Sequence, residues 1–528
     1  MSIINTALKI KDHIPCTKQL INRIATNSVC NSIKPRPNAF SLWSHVAKPE
    51  EKDEQGPVGE YTTWPMLTDK RYSARHLPPA DQEYIDRLPK DVAYNPENNT
   101  VGDITALFAR EGEMKTGRSS MLFMFFAQWF TDSVLRVDSS DRRKNTSNHN
   151  VDLCQIYGLT EESANILRSK EKGKLKSQKI NGEEYLDYLG EVGGDGKWKV
   201  KDCYKGLPYT SEKILNEIVR GWDDSRKHKL YATGLERGNS SIGYVAISTI
   251  FMREHNRLCD ELSGAYPSWD DERLFQTARM INTVILLKLV IQDYINHITG
   301  GELFYLDHTF AEEQNWYRTP WISIEFDLLY RWHGLIPDVI KFGDQEYGHT
   351  QYRMNNGALE DIGLVQLIDA VSKQNAGTIS LKNVPTFMLG AEYATLKMGR
   401  DFRLCSYNKY RELYGLDKLS SFDELTHDSS LAAKLKELYK DIDNVEFVIG
   451  IFAQSGEGDA LFGDLLNTMV AYDAFTQIYT NPLLSKNIYT TDTLSEVGME
   501  IIKQTNSFQS VLDRNNTSSF NAKAIFSL

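Results

Sequence analysis

Cysteine is sparse in this chain: Cys16, Cys30, Cys154, Cys203, Cys259 and Cys405 are scattered over 528 residues, with no close pair. That spacing supplies neither a zinc knuckle nor a disulfide framework, and it predicts reduced thiols in a cytoplasmic compartment. A glycine-rich phosphate loop, an HExxH and a GxSxG are all missing, so nucleotide-binding, zinc-peptidase and serine-hydrolase readings have no support. Basic charge is in deficit, with 60 Lys and Arg against 71 Asp and Glu and a formal net charge of −11. Wholesale nucleic-acid binding is therefore not expected. No run reaches the roughly 18–20 uninterrupted apolar residues that a membrane-spanning helix needs. The first residues, MSIINTALKIKDHIPC, are broken by Lys9, Lys11, Asp12 and His13 and do not read as a secretory signal. Gly 34 and Pro 16 are ordinary contents, which excludes collagen-like or low-complexity chains.

What is present is a globular composition, 41% hydrophobic and 25% charged, with enough apolar mass for a large core. Charge is unevenly placed. Residues 1–36 hold six basic side chains (Lys9, Lys11, Lys18, Arg23, Lys34, Arg36) against Asp12, a net +5. Leu20, Ile21, Ile24 and Ala25 recur there at helical spacing. A short amphipathic helix of this kind can lie on an anionic membrane surface, frame an apolar pocket, or pack on the domain as an ordinary surface helix. Residues 35–100 read as irregular wrapping segments. Helical patterns follow over 119–136, 160–170, 241–263, 270–298, 359–375 and 429–453, and strand-like alternation is sparse. The pattern predicts a mainly α architecture: a basic segment 1–36, then one large helical domain over 37–528.

Three stretches carry chemistry-bearing side chains. WISIEFDLLYRWHGLIPD (321–338) sets His333 in apolar and aromatic surroundings, with Trp332 beside it and Tyr330 three residues earlier. Read as one helix, this places Tyr330 and His333 on neighbouring faces. A neutral imidazole there could ligate haem iron, although a lone histidine on an apolar helix is more often a satisfied core residue. RSSMLFMFFAQWFTDSVLRVD (118–138) is almost wholly apolar except for Gln128 and Asp132, which share a face at i, i+4. Burying both costs several kcal/mol unless they are paired or used. The third stretch, 240–262, carries Arg253, Glu254, His255 and Asn256, read as a structural salt-bridge knot, and follows Arg237 in a Gly/Asn/Ser loop.

Several motifs in order resemble the cyclooxygenase branch of the animal haem peroxidase superfamily: FFAQWFTD, HNVDLCQIYG, MREHNRLCDEL with DDERLFQTARMI, EFDLLYRWHGLIPD, MGRDFRLCSYNKYRELYGL, KDIDNVEFVIG and ALFGD with TNPLL and SEVGMEII. The resemblance runs over about residues 60–510. It implies a single helical haem peroxidase domain, haem b as cofactor, and His333 as the axial iron ligand with Trp332 and Gln128 against the cofactor. Tyr330 falls on the tyrosine that becomes a radical in cyclooxygenases and fatty-acid dioxygenases, Tyr317 on its hydrogen-bonding neighbour, and Gln128 on the distal glutamine. His149 matches a family histidine for which a structural role is expected.

The departures are equally specific. Where the family has Gln-x-x-x-His on the distal helix, this chain has Asp132, so the usual acid/base of peroxide cleavage is a carboxylate. Arg237 lies 16 residues before Arg253, the spacing of a distal arginine in myeloperoxidase-like members. Two readings stay open: Asp132 and Arg237 work as an acid/base and charge-stabilising pair, or they form a buried ion pair and peroxide activation is weak. The serine that aspirin acetylates is replaced by Ala474, and no EGF-like module is present. The carboxylate-gripping arginine has no clear match, with Lys34 or Arg36 close enough in sequence to substitute. The calcium loop keeps only Asp152, with Asn148, Asn150 and Cys154 in its other places, so calcium is not expected.

The resemblance implies a haem-dependent fatty-acid dioxygenase: peroxide oxidises Tyr330, its radical abstracts a hydrogen from a long-chain fatty acid or other lipid, and O2 adds. A haem peroxidase or peroxygenase using Asp132 and Arg237 is the alternative, as is a haem- or lipid-binding protein without peroxidase activity. Peripheral membrane association of a cytoplasmic protein and a homodimer are compatible with either.

Overall fold

The computed structural model describes residues 18–32, 71–98, 100–317, 321–456 and 460–528. Lys34, Arg36 and most of the 1–36 segment and of the 35–100 stretch lie outside these. At the centre stands helix α2 (Met121–Thr131), preceded by α1 (Lys18–Cys30) in chain order. Nine of the eleven α2 side chains are buried, as a helix that is apolar all round must be. Ser120 caps it, its hydroxyl accepting from the Phe123 N–H. The predicted helix over 119–136 is therefore shorter. The residues before it form β1 (Thr116–Ser120), paired antiparallel with Asn375–Gly377, and the chain turns after Thr131.

α3 (Ile242–Ala265) packs along α2, and α4 (Asp271–Leu289) packs on α3, the chain beyond α4 bringing Tyr294 against Phe123, Phe126 and Phe130 of α2. The α2–α3 approach is close because Gly243 has no side chain, and a Cβ there would fall 2.1 Å from the Phe125 ring. Trp129 stacks on Phe251 with centroids 4.8 Å apart and donates its indole N–H to Ser248 Oγ at 2.9 Å. Truncating a buried aromatic of this kind to alanine costs about 3–5 kcal/mol. α4 continues through a π-helical turn, Val290–Ile295, to Thr299, and ends at Gly300 with φ +76°. This 29-residue rod is apolar enough to cross a membrane, but 83% of its most apolar window is buried in the protein, which makes it a core helix.

The predicted helices over 359–375 and 429–453 are each broken. Gly363, at φ +92°, separates Asn356–Ile362 from Leu364–Ser372, and Lys440, at φ +64°, ends Ser429–Tyr439 well before Phe447–Ala453 begins. Strands among the described residues are five two-stranded antiparallel pairs. The hairpin of Ser177–Ile180 and Glu183–Leu186 is pinned to α3 by the Arg253–Asn256 cluster. Arg253 pairs with Glu183 at 3.1 Å, Asn256 donates to Glu184 at 2.8 Å, and Glu254 holds Arg257 and Arg514. His255 bridges Tyr157 and the Gly173 carbonyl, and burial pushes its pKa down to about 4.

Three further helices position the site: α5 (Ile324–Leu329), α6 (Leu389–Asp401) and α7 (Asp464–Tyr479). α1 packs on α7 through Asn22, Ala25, Thr26, Val29 and Cys30, and Arg23 pairs with Asp307 at 2.7 Å. Its other face leaves Leu20 and Ile24 58% and 50% exposed. α1 is thus a packed surface helix that also presents apolar side chains outward.

Candidate functional site

One cavity takes in residues from both motifs singled out in the sequence. Gln128, Asp132, Arg237, Ser240 and Ser241 line one side, and Tyr330, Arg331, Trp332, His333 and Ile336 the other. The space it encloses together with its open mouth is about 1070 Å³.

Helix α2 delivers the first side. Gln128 is the exposed residue of an otherwise buried run because it points into the cavity. Ser241, the N-cap of α3, donates to its Oε1 at 3.1 Å, and its amide nitrogen lies 3.5 Å from Ser240 Oγ. Asp132 is the C-cap of α2. Burial raises its pKa above the ordinary carboxylate value, while Arg237 and then Arg136 pull it back. The negative end of the helix dipole acts in the same direction as burial. Arg237 approaches Asp132 Oδ1 at 3.5 Å with its own side chain 49% exposed. Arg136 is committed elsewhere, to Glu236.

The second side departs from the sequence reading. His333 is not on the helix that carries Tyr330. α5 stops at Leu329, Tyr330 is its C-cap, and His333 opens a separate 3₁₀ turn, His333–Leu335. The Trp332 indole folds back and donates to the Leu329 carbonyl at 2.8 Å, satisfying one of the groups the helix end exposes. Gly334 then presses against the chain just after the Asn375–Gly377 strand, where a Cβ would lie 2.5 Å from the Thr378 carbonyl oxygen. The His333 ring lines the cavity with its Nδ1 2.7 Å from Glu392 Oε1 of α6. Nε2 is hydrogen-bonded to no described residue, so it is available to a ligand.

Tyr330 stacks on Trp332 (centroids 4.4 Å, 27°) and meets Phe326 edge-on at 5.0 Å. Burial pushes its phenol pKa far up, the Tyr294 hydroxyl offsets part of this, and the Asp473 charge adds to it. The expected Tyr317 contact does not form. Tyr317 is half-buried on a loop whose neighbouring Trp316 donates to Asn27 of α1 at 2.7 Å, drawing that loop toward α1. The hydroxyl facing Tyr330 is that of Tyr294, delivered by the π-helical turn of α4; the two phenols influence each other's pKa, yet neither hydroxyl has a hydrogen-bond partner among the described residues. A π-turn re-aims the side chains beyond it and frequently marks a functional position.

Sequence reasoning missed Tyr294, Glu392, Arg331 and Arg353. QDYINH inside an apolar helix was a signal for Tyr294, whereas nothing near Glu392 announces its contact with His333. On α7, Ala474 is buried and its neighbour Asp473 lies 3.8 Å from His76. His149 stacks on Trp321 at 4.6 Å and accepts the Ile322 N–H, a structural role. Asp152 accepts from Asn148 and from the Cys154 N–H.

The donor set fits a haem. It offers one imidazole nitrogen without a described partner at the cavity, aromatic and aliphatic side chains among a mixed lining, and Arg331 and Arg353 on that lining for carboxylates. Arg331 is itself braced by Asp327 at 2.6 Å.

The sequence matches the animal haem peroxidase model over residues 139–525. Prostaglandin G/H synthase 2 of Cavia porcellus is 33% identical over 461 residues, covering 86% of this chain and 72% of that protein. Prostaglandin G/H synthase 1 of Rattus norvegicus is 32% identical over 453 residues, covering 84% and 71%. The crystal structure of Oryza sativa fatty acid alpha-dioxygenase superposes with a TM-score of 0.70 at 17% identity, covering 97% of this chain and 92% of that one. Peroxidase A from Dictyostelium discoideum superposes with a TM-score of 0.66 at 16% identity, covering 93% and 100%. These last two establish the fold alone. The chain belongs to the animal haem peroxidase family and is an oxidoreductase.

Proposed function

We propose that the chain is a haem-dependent fatty-acid dioxygenase in which Tyr330 carries the radical. The observation behind this is the joint placement of Tyr330 and His333 on one side of the cavity, the phenol packed on Trp332 and shielded by burial. The prostaglandin synthase relatives and the alpha-dioxygenase fold likeness agree with it. His333 would hold the iron of a haem b through Nε2, with Trp332 on the cofactor's wall, Gln128 on the other side, and Arg331 and Arg353 toward its carboxylates. A bound haem supplies an iron centre that reacts with peroxide and can take one electron from a phenol.

The side chains divide the remaining work. Asp132 accepts the proton of the incoming peroxide, and Arg237 stabilises negative charge on the departing oxygen. Tyr330 keeps its O–H because burial disfavours the phenolate, so it loses a hydrogen atom (electron and proton together) and not a proton alone. The phenoxyl radical takes a hydrogen atom from a C–H bond of the fatty acid and becomes Tyr330 again. O2 adds to the carbon radical, and the peroxyl radical recovers a hydrogen atom from Tyr330 to give the hydroperoxide. Tyr294 holds the Tyr330 hydroxyl in place through this cycle.

A second reading, a peroxidase or peroxygenase of small reductants, draws on the Asp132–Arg237 contact. Oxygen uptake separates the two. With a long-chain fatty acid and a trace of hydroperoxide, a dioxygenase consumes O2, whereas a peroxidase oxidises guaiacol without uptake. No uptake with any unsaturated or saturated long-chain acid would overturn the dioxygenase reading.

Helix α1 is placed at a lipid surface or channel mouth in this reading, through exposed Leu20 and Ile24 within a segment of net +5. Binding to anionic vesicles that weakens with salt, and weakens again in Leu20→Ser/Ile24→Ser, is the expected result. Vesicle binding indifferent to both would leave α1 as packing alone.

A further inference from the structure

We infer that Glu392 is a positioning residue that sets the tautomer and the electron density of His333, and through it the reduction potential of the iron; this rests on the haem reading above. Glu392 Oε1 lies 2.7 Å from His333 Nδ1, and the glutamate side chain is 0% exposed. Its second oxygen, Oε2, is buried with no hydrogen-bond partner among the described residues. The contact with His333 Nδ1 is thus the one hydrogen bond this carboxylate makes to a described residue, and in a low-dielectric setting such a bond is strong.

The contact has two possible proton arrangements with opposite consequences. With Glu392 ionised, Nδ1 carries the proton and donates it, leaving the Nε2 lone pair toward the cavity, where it can bind iron. With Glu392 neutral and donating, Nδ1 is the acceptor and Nε2 carries the hydrogen, which bars iron. The position of Glu392 on its helix speaks for the first. Glu392 stands in the first turn of the 13-residue helix α6, where the positive end of the helix dipole stabilises an anion. An imidazole that shares its proton with a buried carboxylate is a more basic ligand than one paired with a neutral group. Such a ligand would stabilise ferric over ferrous iron.

The placement also bears on the weakness of the distal side. A chain whose distal base is the buried Asp132, at the unfavourable end of its helix, gains most from a proximal ligand that helps break the peroxide bond. Glu392 supplies that help from the side of the cavity that the family motifs do not mark.

The test is the Fe(III)/Fe(II) midpoint potential of the haem-loaded full chain. Glu392→Gln keeps the shape and an acceptor for the Nδ1 proton but removes the charge. Its midpoint should move positive by one to two decades of the reduction equilibrium, 59 mV per decade for one electron. Glu392→Asp, with the charge restored at shorter reach, should return part of that shift. Glu392→Ala should bind haem 10–100-fold more weakly. A Glu392→Gln midpoint within a third of a decade of the wild type would overturn the proposal while leaving haem binding standing. Should Glu392→Gln fail to fold by near-ultraviolet circular dichroism, the wild-type apoprotein decides. ¹⁵N-histidine NMR should report His333 as the Nδ1–H tautomer, and the Nε2–H tautomer would overturn the inference. A wild-type chain that takes up no haem on reconstitution would fail the haem reading itself, and the inference with it.

Discussion

On the proximal side of the cavity His333 meets a fully buried carboxylate at 2.7 Å and Tyr330 lies stacked on Trp332 and edge-on to Phe326. On the distal side Asp132 and Arg237 meet at 3.5 Å, with the guanidinium half in solvent. The first arrangement is held by close packing down to Gly334, which leaves no room for a Cβ. The second leans on that long contact, on the Tyr244 hydroxyl and Arg136 charge near Asp132, and on Ser240 and Ser241, which orient Gln128. The residues proposed to bind iron and carry the radical are preorganised, and those proposed to handle peroxide keep freedom to rearrange. Catalytic groups are effective when they are already in place for the step they perform, so the steps through Tyr330 should tolerate least change.

The largest effect is expected at Tyr330. Tyr330→Phe keeps the ring stacked on Trp332 and removes only the O–H, so folding and the Soret band should survive. Fatty-acid oxygenation should fall below detection while peroxide consumption persists. Oxygenation surviving in this variant would mean that substrate is attacked without the phenol, and the peroxygenase reading would take the lead. His333→Ala is its partner measurement: haem binding itself should be lost or become far weaker, seen as a missing Soret band.

Next in size comes Asp132. Asp132→Asn should slow the reaction with peroxide by roughly 10²–10⁴-fold, the usual contribution of a positioned acid/base. A base works when deprotonated, so the wild-type rate should rise with pH through the Asp132 pKa. Because burial raises that pKa, the acid limb should sit above the ordinary carboxylate range and vanish in Asp132→Asn. Stopped-flow Soret changes across pH measure both. An unchanged rate and limb would make the Asp132–Arg237 contact purely structural. The Arg237→Lys variant sharpens this, since lysine keeps the charge but loses the planar fork.

How much of this was readable beforehand differs between the two sides. Gln128 and Asp132 were legible as a pair because i, i+4 spacing on an apolar helix leaves two polar side chains one common direction to point. Tyr330 and His333 were identified as a pair, but their local backbone was not. The apolar pattern continues through Trp332, and nothing in it announces that an indole folds back to end the helix at Leu329. Arg237, in a loop, was found by its spacing to Arg253. Glu392 was invisible because its role comes from helix α6 crossing behind a turn 59 residues earlier, a tertiary fact without local periodicity. The Tyr317 expectation rested on the family resemblance alone, and the tyrosine that faces Tyr330 comes instead from the π-turn of α4, which no local pattern announces.

That substitution of partner gives the smallest and most discriminating expectation. Tyr294 and Tyr330 face each other, and neither hydroxyl has a hydrogen-bond partner among the described residues, so a bond between the two phenols is the one each is placed to make during the cycle. One hydrogen bond between neutral groups is worth about 0.5–1.5 kcal/mol, roughly a two- to tenfold effect on a rate that depends on it. Tyr294→Phe should therefore lower fatty-acid oxygenation by that factor, with the midpoint potential, Soret band and peroxide reaction unchanged. Tyr317→Phe should do nothing to any of the four. The reverse ranking, with oxygenation sensitive at 317 and indifferent at 294, would mean that the working enzyme brings the loop after Gly300 in to Tyr330. The proximal side would then be the mobile one, and the contrast between the two sides would invert. Total loss of oxygenation in Tyr294→Phe would make that phenol an obligatory relay, because no single positioning hydrogen bond accounts for more than about tenfold.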